Sequence, residues 1–273
     1  MPMVSVIIPT FNRDQFLPKA IESVLGQTYA DFELIIIDDG STDKTRSTVT
    51  DFDDDRIAYS CQENKGVSAA RNRGIEKAHS GLICFLDSDD YWLPKKLEKQ
   101  SAFMEKHPNL LLSQTEEIWI RHGHRVNAMK KHMKYAGMIY EKCLPLCLVT
   151  PSSVMIRKGL FKDVGLFDEG LLACEDYDLW LRVASQFEIG LIKENLIVKH
   201  GGHADQLSRR IPHLDQFRIQ ALEKILKSNL LTEDQRRATI RELKHKCRIY
   251  GNGCMKRGKV AEGEKYRALI QKY

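Results

Sequence analysis

The sequence predicts an α/β fold: a mostly parallel central sheet flanked by helices, followed by a C-terminal helical extension. Three observations lead there. Short, continuously apolar runs at residues 4–8, 32–37 and 82–86 alternate with helical patterns, which is how strands buried on both faces read. Each run ends in a polar cluster, after Ile8, Ile37 and Leu86, where ligands of open α/β sheets bind. Beyond about Asp205 no strand pattern remains, only helical ones.

The elements follow in order. The run at 4–8 is rich in β-branched residues and is stopped by Pro9 and Thr10. Phe16/Leu17, Ala20/Ile21 and Val24/Leu25 recur at steps of four, and Pro18 suits the first turn of the helix they define. A second strand spans 32–37. The segment from Asp38 to Asp43 is a turn, with Ser41 or Thr42 as the cap of a helix through Val49. A short strand is expected over 57–60, a helix over 67–78, a third buried strand over 82–86, and a helix over 94–107 stopped by Pro108. Residues 110–119 read as a strand, while 121–134 is basic and ambiguous. Residues 152–156 read as a strand and 158–164 as a short helix. Residues 175–184 read as an amphipathic helix whose acidic first turn suits the helix dipole. A strand over 196–199 leads into His200-Gly201-Gly202-His203. Helices follow over about 213–228 and 233–250, then a Gly-Asn-Gly break at 251–253 and a last helix over about 260–271.

A chain of 273 residues, 42% hydrophobic, can bury a full core; it suits one large domain, 1–205, with a basic α-helical extension, 206–273. The net charge of +5 is unevenly placed: from His213 to Tyr273 there are 15 Lys/Arg against 7 Asp/Glu, so the remainder is acidic. Such a tail suggests an anionic membrane, a partner enzyme or a second copy of the chain; a solvated helical surface is the bland alternative. Seven cysteines without a CxxC pair suggest a reducing compartment. No stretch has the length of a membrane span or the pattern of a secretory leader. The expectation is a soluble cytoplasmic protein without a nucleic-acid partner, with peripheral membrane contact left open. No GxGxxG or GxxxxGK occurs. The acidic loop Asp51, Asp53, Asp54, Asp55 lacks the glycine a calcium loop needs. His122, His124 and His132 have no metal-ligand spacing.

The most informative stretch is FLDSDDYW, residues 85–92. Asp87, Asp89 and Asp90 at the mouth of a buried strand repel one another and lose hydration, so the cluster calls for a cation or a ligand carrying one. In extended backbone Asp87 and Asp89 share a side. Oxygen ligands suit Mg²⁺ or Mn²⁺, with substrate phosphates completing the shell. Alternatively, Asp89 or Asp90 caps the helix near Pro94.

Four segments carry a family resemblance: VSVIIPTFNR at 4–13, SVLGQTYADFELIIIDDGSTDKT at 23–45, NKGVSAARNRGI at 64–75 and FLDSDDYW at 85–92. In this order they closely resemble the N-terminal half of family 2 glycosyltransferases, whose GT-A fold is Rossmann-like. EDYDLWLRVA at 175–184 extends the match into the acceptor half, so that it covers roughly residues 3–205. The resemblance implies a nucleotide held by Pro9, Thr10, Asn12 and Arg13 in the first βα turn and by Asp38 and Asp39. Of these two carboxylates, Asp39 better matches the position that accepts a base N–H. Arg71 would reach base or phosphate, and the backbone at Lys65 could approach phosphate. Asp87, with Ser88 beside it, would lie near the ribose and Asp89 would bind the metal directly. Such sites often add a late-loop ligand, and His200 and His203 are equal candidates.

Glu175 and Asp176 match the family's acidic pair, with Asp176 the expected base and Glu175 second. The base takes the acceptor hydroxyl proton, and a single displacement inverts the anomeric centre. The implied function is inverting, metal-dependent transfer from a nucleotide-diphosphate sugar to a hydroxyl in glycan or polysaccharide biosynthesis. A UDP-sugar is the first choice of donor, with guanine and thymine nucleotides open. The alternatives are a non-catalytic nucleotide-sugar-binding protein and a sugar nucleotidyltransferase. The latter needs a Gly-rich basic loop where this chain has Pro-Thr-Phe-Asn-Arg. Trp180, on the helix face of Asp176, reads as core.

Overall fold

The computed structural model describes residues 3–127, 129–202, 211 and 213–273. The first four strands are β1 (Val4–Thr10), β2 (Phe32–Asp38), β3 (Ile57–Cys61) and β4 (Leu82–Phe85). They lie in parallel in the order β3-β2-β1-β4. Helices α1 (Leu17–Leu25), α2 (Thr45–Thr50) and α3 (Val67–Lys77) connect them. Strand alternation divides the apolar residues of β1 between two cores. Val4, Val6 and Ile8 meet Leu17, Ile21 and Val24 of α1. Ile7 joins Ile35, Ile37 and Phe85 on the other face. There α3 lies so close that a Cβ on Gly74 would fall 2.3 Å from Ile7 Cγ2. Both faces of β1, β2 and β4 are thus covered, which is why these three strands carry no polar face.

The sheet continues through β8 (Met155–Arg157), antiparallel to β4, and β6 (Leu112–Arg121), antiparallel to β8. Next comes β9 (Ile189–Gly201), parallel to β6, and then β5 (Tyr91–Trp92), antiparallel on β9. A short β7 (His124–Val126) pairs back on β6 as a hairpin. The sheet is therefore parallel across its N-terminal strands and mixed beyond β4. The long β6–β9 pair carries the chain past the strand ends of the first half.

The remaining helices of this half are α4 (Lys96–Lys106), α5 (Tyr140–Cys143), α6 (Leu160–Val164) and α7 (Glu175–Ala184). They are followed by α8 (Asp215–Lys227), α9 (Glu233–Lys256) and α10 (Val260–Lys272). The last three extend the core of the sheet face that holds Ile7: Ile219, Leu222, Ile225, Leu243 and Cys247 cluster with Tyr177 and Leu181. Polar ties reinforce this packing. The Tyr140 and Thr239 hydroxyls lie 2.7 Å apart, and Lys246 Nζ donates to the Pro145 carbonyl at 2.8 Å. Lys224 Nζ donates to Asp168 at 2.6 Å and to Asp178 at 3.0 Å. Many cations of the basic tail thus face carboxylates of the chain itself, as Arg218 does with Asp215 and Arg267 with Glu264.

Several local expectations change. The helix after β2 starts at Thr45, and Asp43 rather than Ser41 or Thr42 accepts its Thr45 N–H, at 2.9 Å. Ser41 and Thr42 bond Asn12 instead. The expected strand over 152–156 begins as a 3₁₀ turn, Pro151–Ser153, and only then extends. The short strand over 196–199 is the end of a 13-residue strand. Neither Asp89 nor Asp90 caps a helix, since α4 starts after Lys95. The Gly-Asn-Gly segment does not break α9. Gly251 faces α10, where a Cβ would stand 3.2 Å from Tyr266 Cβ, so a small residue there serves close helix packing. The turn falls later, at Gly258, with φ 74°. All seven cysteines are free thiols.

Candidate active site

The carboxyl ends of β1, β2 and β4 converge. Thr10 pairs with Asp38, and Asp39 N–H donates to the Thr10 carbonyl at 2.8 Å. Pro9 and Thr10 are buried, and Thr10 Oγ1 has no hydrogen-bond partner among the described residues. Asn12 takes a left-handed φ of 51°, an arrangement asparagine tolerates. Its N–H donates to Ser41 Oγ and its side-chain oxygen accepts Thr42 N–H, both at 2.8 Å, stitching the first two loops together. Arg13 N–H donates to Thr45 Oγ1 at 3.0 Å.

Asp38 and Asp39 are both buried, and both organise loops. Asp38 accepts Ser41 N–H at 2.8 Å and the Tyr59 hydroxyl at 2.6 Å. Burial and the Asp38 carboxylate push the Tyr59 phenol up. Asp39 Oδ1 accepts Gln62 Nε2 at 2.7 Å and Lys65 N–H at 3.0 Å, while Oδ2 accepts Gly66 N–H at 2.7 Å. Asp39 thereby ties the end of β2 to the loop that opens α3. The Lys65 side chain is exposed.

The acidic run after β4 is a tight turn and not the extended backbone expected, because Asp90 N–H closes onto the Asp87 carbonyl at 2.9 Å. Asp90 points inward: it accepts the Ser152 hydroxyl at 2.6 Å and the His200 backbone N–H at 3.0 Å. Burial, then the Asp89 and Asp87 charges, raise the Asp90 carboxyl well above the usual carboxylate range. Asp87 N–H donates to Ser152 Oγ at 3.1 Å, and Trp92 Nε1 donates to the Ser152 carbonyl at 2.9 Å. Ser88 is buried, while Asp87 and Asp89 are half-buried.

Arg71 does not stand open to a ligand. Its guanidinium donates through Nη2 to Asp87 at 2.7 Å and through Nη1 to Glu175 at 2.6 Å. Both Arg71 and Glu175 are buried, at 4% and 5% exposure. Burial disfavours the Arg71 cation, but the Asp87 and Glu175 charges more than offset it and hold it protonated. Ala69 and Ala70 keep α3 close enough to the sheet for this reach. Glu175 is raised by burial, with Arg71 opposing the rise.

Asp176 differs from its neighbour. It is half-buried, its Oδ1 accepts Tyr177 N–H at 2.7 Å, and its Oδ2 accepts the Cys147 thiol at 3.3 Å. Burial, then the Asp176 charge, pushes the Cys147 thiol well above its ordinary value, so it stays a donor. Trp180 is core, with its ring 6.4 Å from Phe167 and edge-on.

Three participants were not anticipated. Asp90 was read as one of three charges or as a helix cap; its burial depends on Ser152 and β9, which no local pattern shows. Cys147 carried no signal, since its role comes from facing Asp176. Lys199, in β9, is disfavoured by burial, yet Glu117, Asp90, Asp87 and Asp176 hold it protonated. Its only trace was the charge imbalance of the acidic body.

The histidine positions divide. His200 lies in β9, with its ring 5.1 Å from that of Tyr91; His203 falls outside the described residues. His132 sits on the Trp119 ring at 4.8 Å. Among the described residues no three His, Cys, Asp or Glu side chains form a metal-holding group. The donor set around the turn, Asp87 and Asp89, is nevertheless all oxygen. Asp87 already accepts from Arg71, which leaves its second carboxylate oxygen and the half-buried Asp89 to face a cation. Such a site fits Mg²⁺ or Mn²⁺ bound by one or two carboxylates with substrate phosphates supplying the rest.

Comparison with known proteins agrees with this geometry. The family profile described as Glycosyl transferase family 2 matches residues 5–165. WfgD of Escherichia coli, a UDP-Glc:alpha-D-GlcNAc-diphosphoundecaprenol beta-1,3-glucosyltransferase, is 35% identical over 191 residues, covering 70% of this chain and 73% of that protein. The chain spans about a third of the length of Rickettsia glycosyltransferases that it also matches. S. aureus TarS 1-349 in complex with UDP-GlcNAc superposes with TM-score 0.72 at 20% identity, covering 89% of this chain and 71% of that one. Mannosyltransferase PcManGT from Pyrobaculum calidifontis, with GDP-Man and Mn²⁺, gives 0.65 at 14% identity, covering 99% and 83%. With its profile match spanning more than half the sequence, and with strand ends arranged as described, the chain belongs to glycosyl transferase family 2, on the GT-A fold.

Proposed function

We propose that this protein is an inverting, metal-dependent glycosyltransferase that moves a sugar from a nucleoside-diphosphate donor to a hydroxyl of a glycan acceptor in polysaccharide assembly. A UDP-sugar is the preferred donor; WfgD uses UDP-Glc by name and makes a beta linkage, in keeping with inversion of an α-linked donor.

The observation that carries the reading is the division of labour in the acidic pair. Arg71 engages Glu175 in a buried ion pair, so Glu175 acts as a positioning residue. Among the described residues, Asp176 receives only a backbone N–H and a weak thiol donor on its carboxylate, which leaves it able to accept a proton. In the reaction Asp176 takes the acceptor hydroxyl proton as that oxygen bonds to the anomeric carbon. The bond from that carbon to the diphosphate breaks on the opposite face. Asp89 would hold the divalent ion, with Asp87 and one of His200 or His203 as further candidates. When bound, the ion offsets charge on the departing diphosphate.

The nucleotide is assigned to the strand ends. Asp39 already accepts the Gln62 side-chain amide, and a base N–H can take that donor's place. Thr10 Oγ1, buried and unpartnered among the described residues, lies at the end of β1 beside it. Pro9 and Asn12 shape the loop, Asp38 holds it through Ser41 and Tyr59, and Arg13 and Lys65 stand where phosphates would pass. Asp87 and Ser88 flank the ribose. Purified protein with Mn²⁺ and UDP-sugars should hydrolyse or transfer the donor, and Asp89→Ala and Asp176→Asn should abolish this. Undiminished turnover in both variants would overturn the assignment.

A further inference from the structure

The segment from Arg121 to Met138 holds five Lys/Arg, three His and three Met, with no Asp or Glu. It forms the end of β6, the β7 hairpin and the 3₁₀ turn Lys130–His132. Arg121, Arg125, Lys130 and Lys131 are exposed, whereas Lys134 turns inward to Glu117 at 2.8 Å. Among the described residues no carboxylate forms an ion pair with Arg125, Lys130 or Lys131. In the C-terminal helices Arg218, Lys224, Arg237, Lys246, Lys259 and Arg267 pair within the chain, and their other cations are interspersed with acidic residues. On the hairpin the unpaired positive charge lies in a stretch that has no acidic residue of its own.

The same surface is apolar in an unusual way. Met129, Met133 and Met138 are 58%, 54% and 55% exposed, interleaved with those cations. Unbranched thioether side chains adapt to an irregular apolar medium. Trp119 underlies the patch: the His132 ring lies 4.8 Å away at a tilt of 45°, Arg121 lies 5.5 Å from its centroid and Lys199 lies 5.9 Å away. Lys199 precedes His200 in β9, whose backbone N–H donates to Asp90 at 3.0 Å, so the patch borders the candidate site.

We propose that this basic, methionine-bearing surface docks the protein on an anionic phospholipid bilayer, with the cations at the headgroups and Met129 and Met133 entering the interface. Charge complementarity selects this occupant. A nucleic acid would satisfy the cations but leave three exposed thioethers in contact with phosphate. A lipid interface accommodates both kinds of side chain at once. The proposal does not depend on which sugar is transferred.

The test is co-sedimentation of the full chain with vesicles of phosphatidylglycerol and phosphatidylcholine, against phosphatidylcholine alone, at low and high salt. Wild type should bind the anionic vesicles and release them as salt rises. Arg125→Gln/Lys130→Gln/Lys131→Gln should bind about a hundredfold more weakly, because three cations no longer meet the headgroups. Met129→Ser/Met133→Ser should bind several-fold more weakly with its salt dependence retained. All the altered side chains are exposed, so melting temperature and donor hydrolysis should match wild type in both variants. Equal binding to neutral vesicles, or no binding by wild type at low salt, would overturn the proposal. So would undiminished binding by the triple variant with loss on neutralising Lys256, Lys265 and Arg267 instead.

Discussion

Arg71 Nη1 lies 2.6 Å from Glu175 Oε1, joining residues 104 apart in sequence. This bond fixes the start of α7 against α3 and decides which of two adjacent carboxylates stays available. Asp176→Asn should lower transfer by about 10²–10⁴-fold, the usual contribution of a general base, with little change in melting temperature. Glu175→Gln leaves Arg71 buried beside one carboxylate instead of two, and should cost about 3 kcal/mol of stability. Steady-state rates beside urea unfolding separate the two roles. A Glu175→Gln protein as stable as wild type with Asp176→Asn fully active would exchange them.

Nucleotide and metal should stabilise the native protein together. At a hundredfold excess over its Kd a ligand adds about 2.7 kcal/mol, or roughly 5 °C in melting temperature for a chain of this size. UDP with Mn²⁺ should give a rise of that order, and Asp89→Ala should remove the part that depends on Mn²⁺. A metal-dependent rise of the same size in Asp89→Ala would move the metal elsewhere.

Acid should weaken the buried contact beneath the hairpin. Burial by itself would raise the Glu117 carboxyl, but the Lys134 and Lys199 charges, with hydrogen bonds from Lys134 and Trp119, bring it down to about 2. Its folded value is below its unfolded one, so its contribution is present above about pH 4.5 and fades as pH falls toward 2. Burial lowers Lys134 as well, with the Glu117 charge opposing it. The stability difference between wild type and Glu117→Gln, about 3 kcal/mol at neutral pH, should therefore shrink below pH 4.5. Denaturant melts across pH check this, and a gap that widened on acidification would refute it.

Gly74→Ala tests how closely α3 must approach the sheet. The new Cβ would stand 2.3 Å from Ile7 Cγ2, and Ile7 is fully buried in a central strand with no room to swing aside. The clash outweighs the gain of about 1 kcal/mol that alanine brings to a helix. A net loss of about 1–2 kcal/mol is expected from urea unfolding, along with lower activity, because Arg71 rides on the same helix.

Much of the fold was legible because its signals are local. The buried strands of the first half declared themselves as continuous apolar runs, and α7 spans 175–184 as its periodicity predicts. Failures fell where a partner decides the outcome. The glycines at 251 and 253 looked like a break, yet Gly251 lies inside α9 against Tyr266. Ser41 and Thr42 looked like helix caps, but the neighbouring loop took them through Asn12. β5 has two residues and exists only through its pairing with β9.

By itself the sequence determined the order of chemistry-bearing loops along the chain and the presence of carboxylates after the runs at 32–37 and 82–86, since hydrophobic period and turn composition are properties of neighbouring residues. Which carboxylate is neutralised and by what was decided only by the tertiary structure. Asp90 is buried by Ser152 and the His200 amide, Glu175 is claimed by Arg71, and Asp176 is left facing Cys147. Ion pairing and desolvation depend on distance in space, and residues a hundred positions apart meet only when the sheet closes.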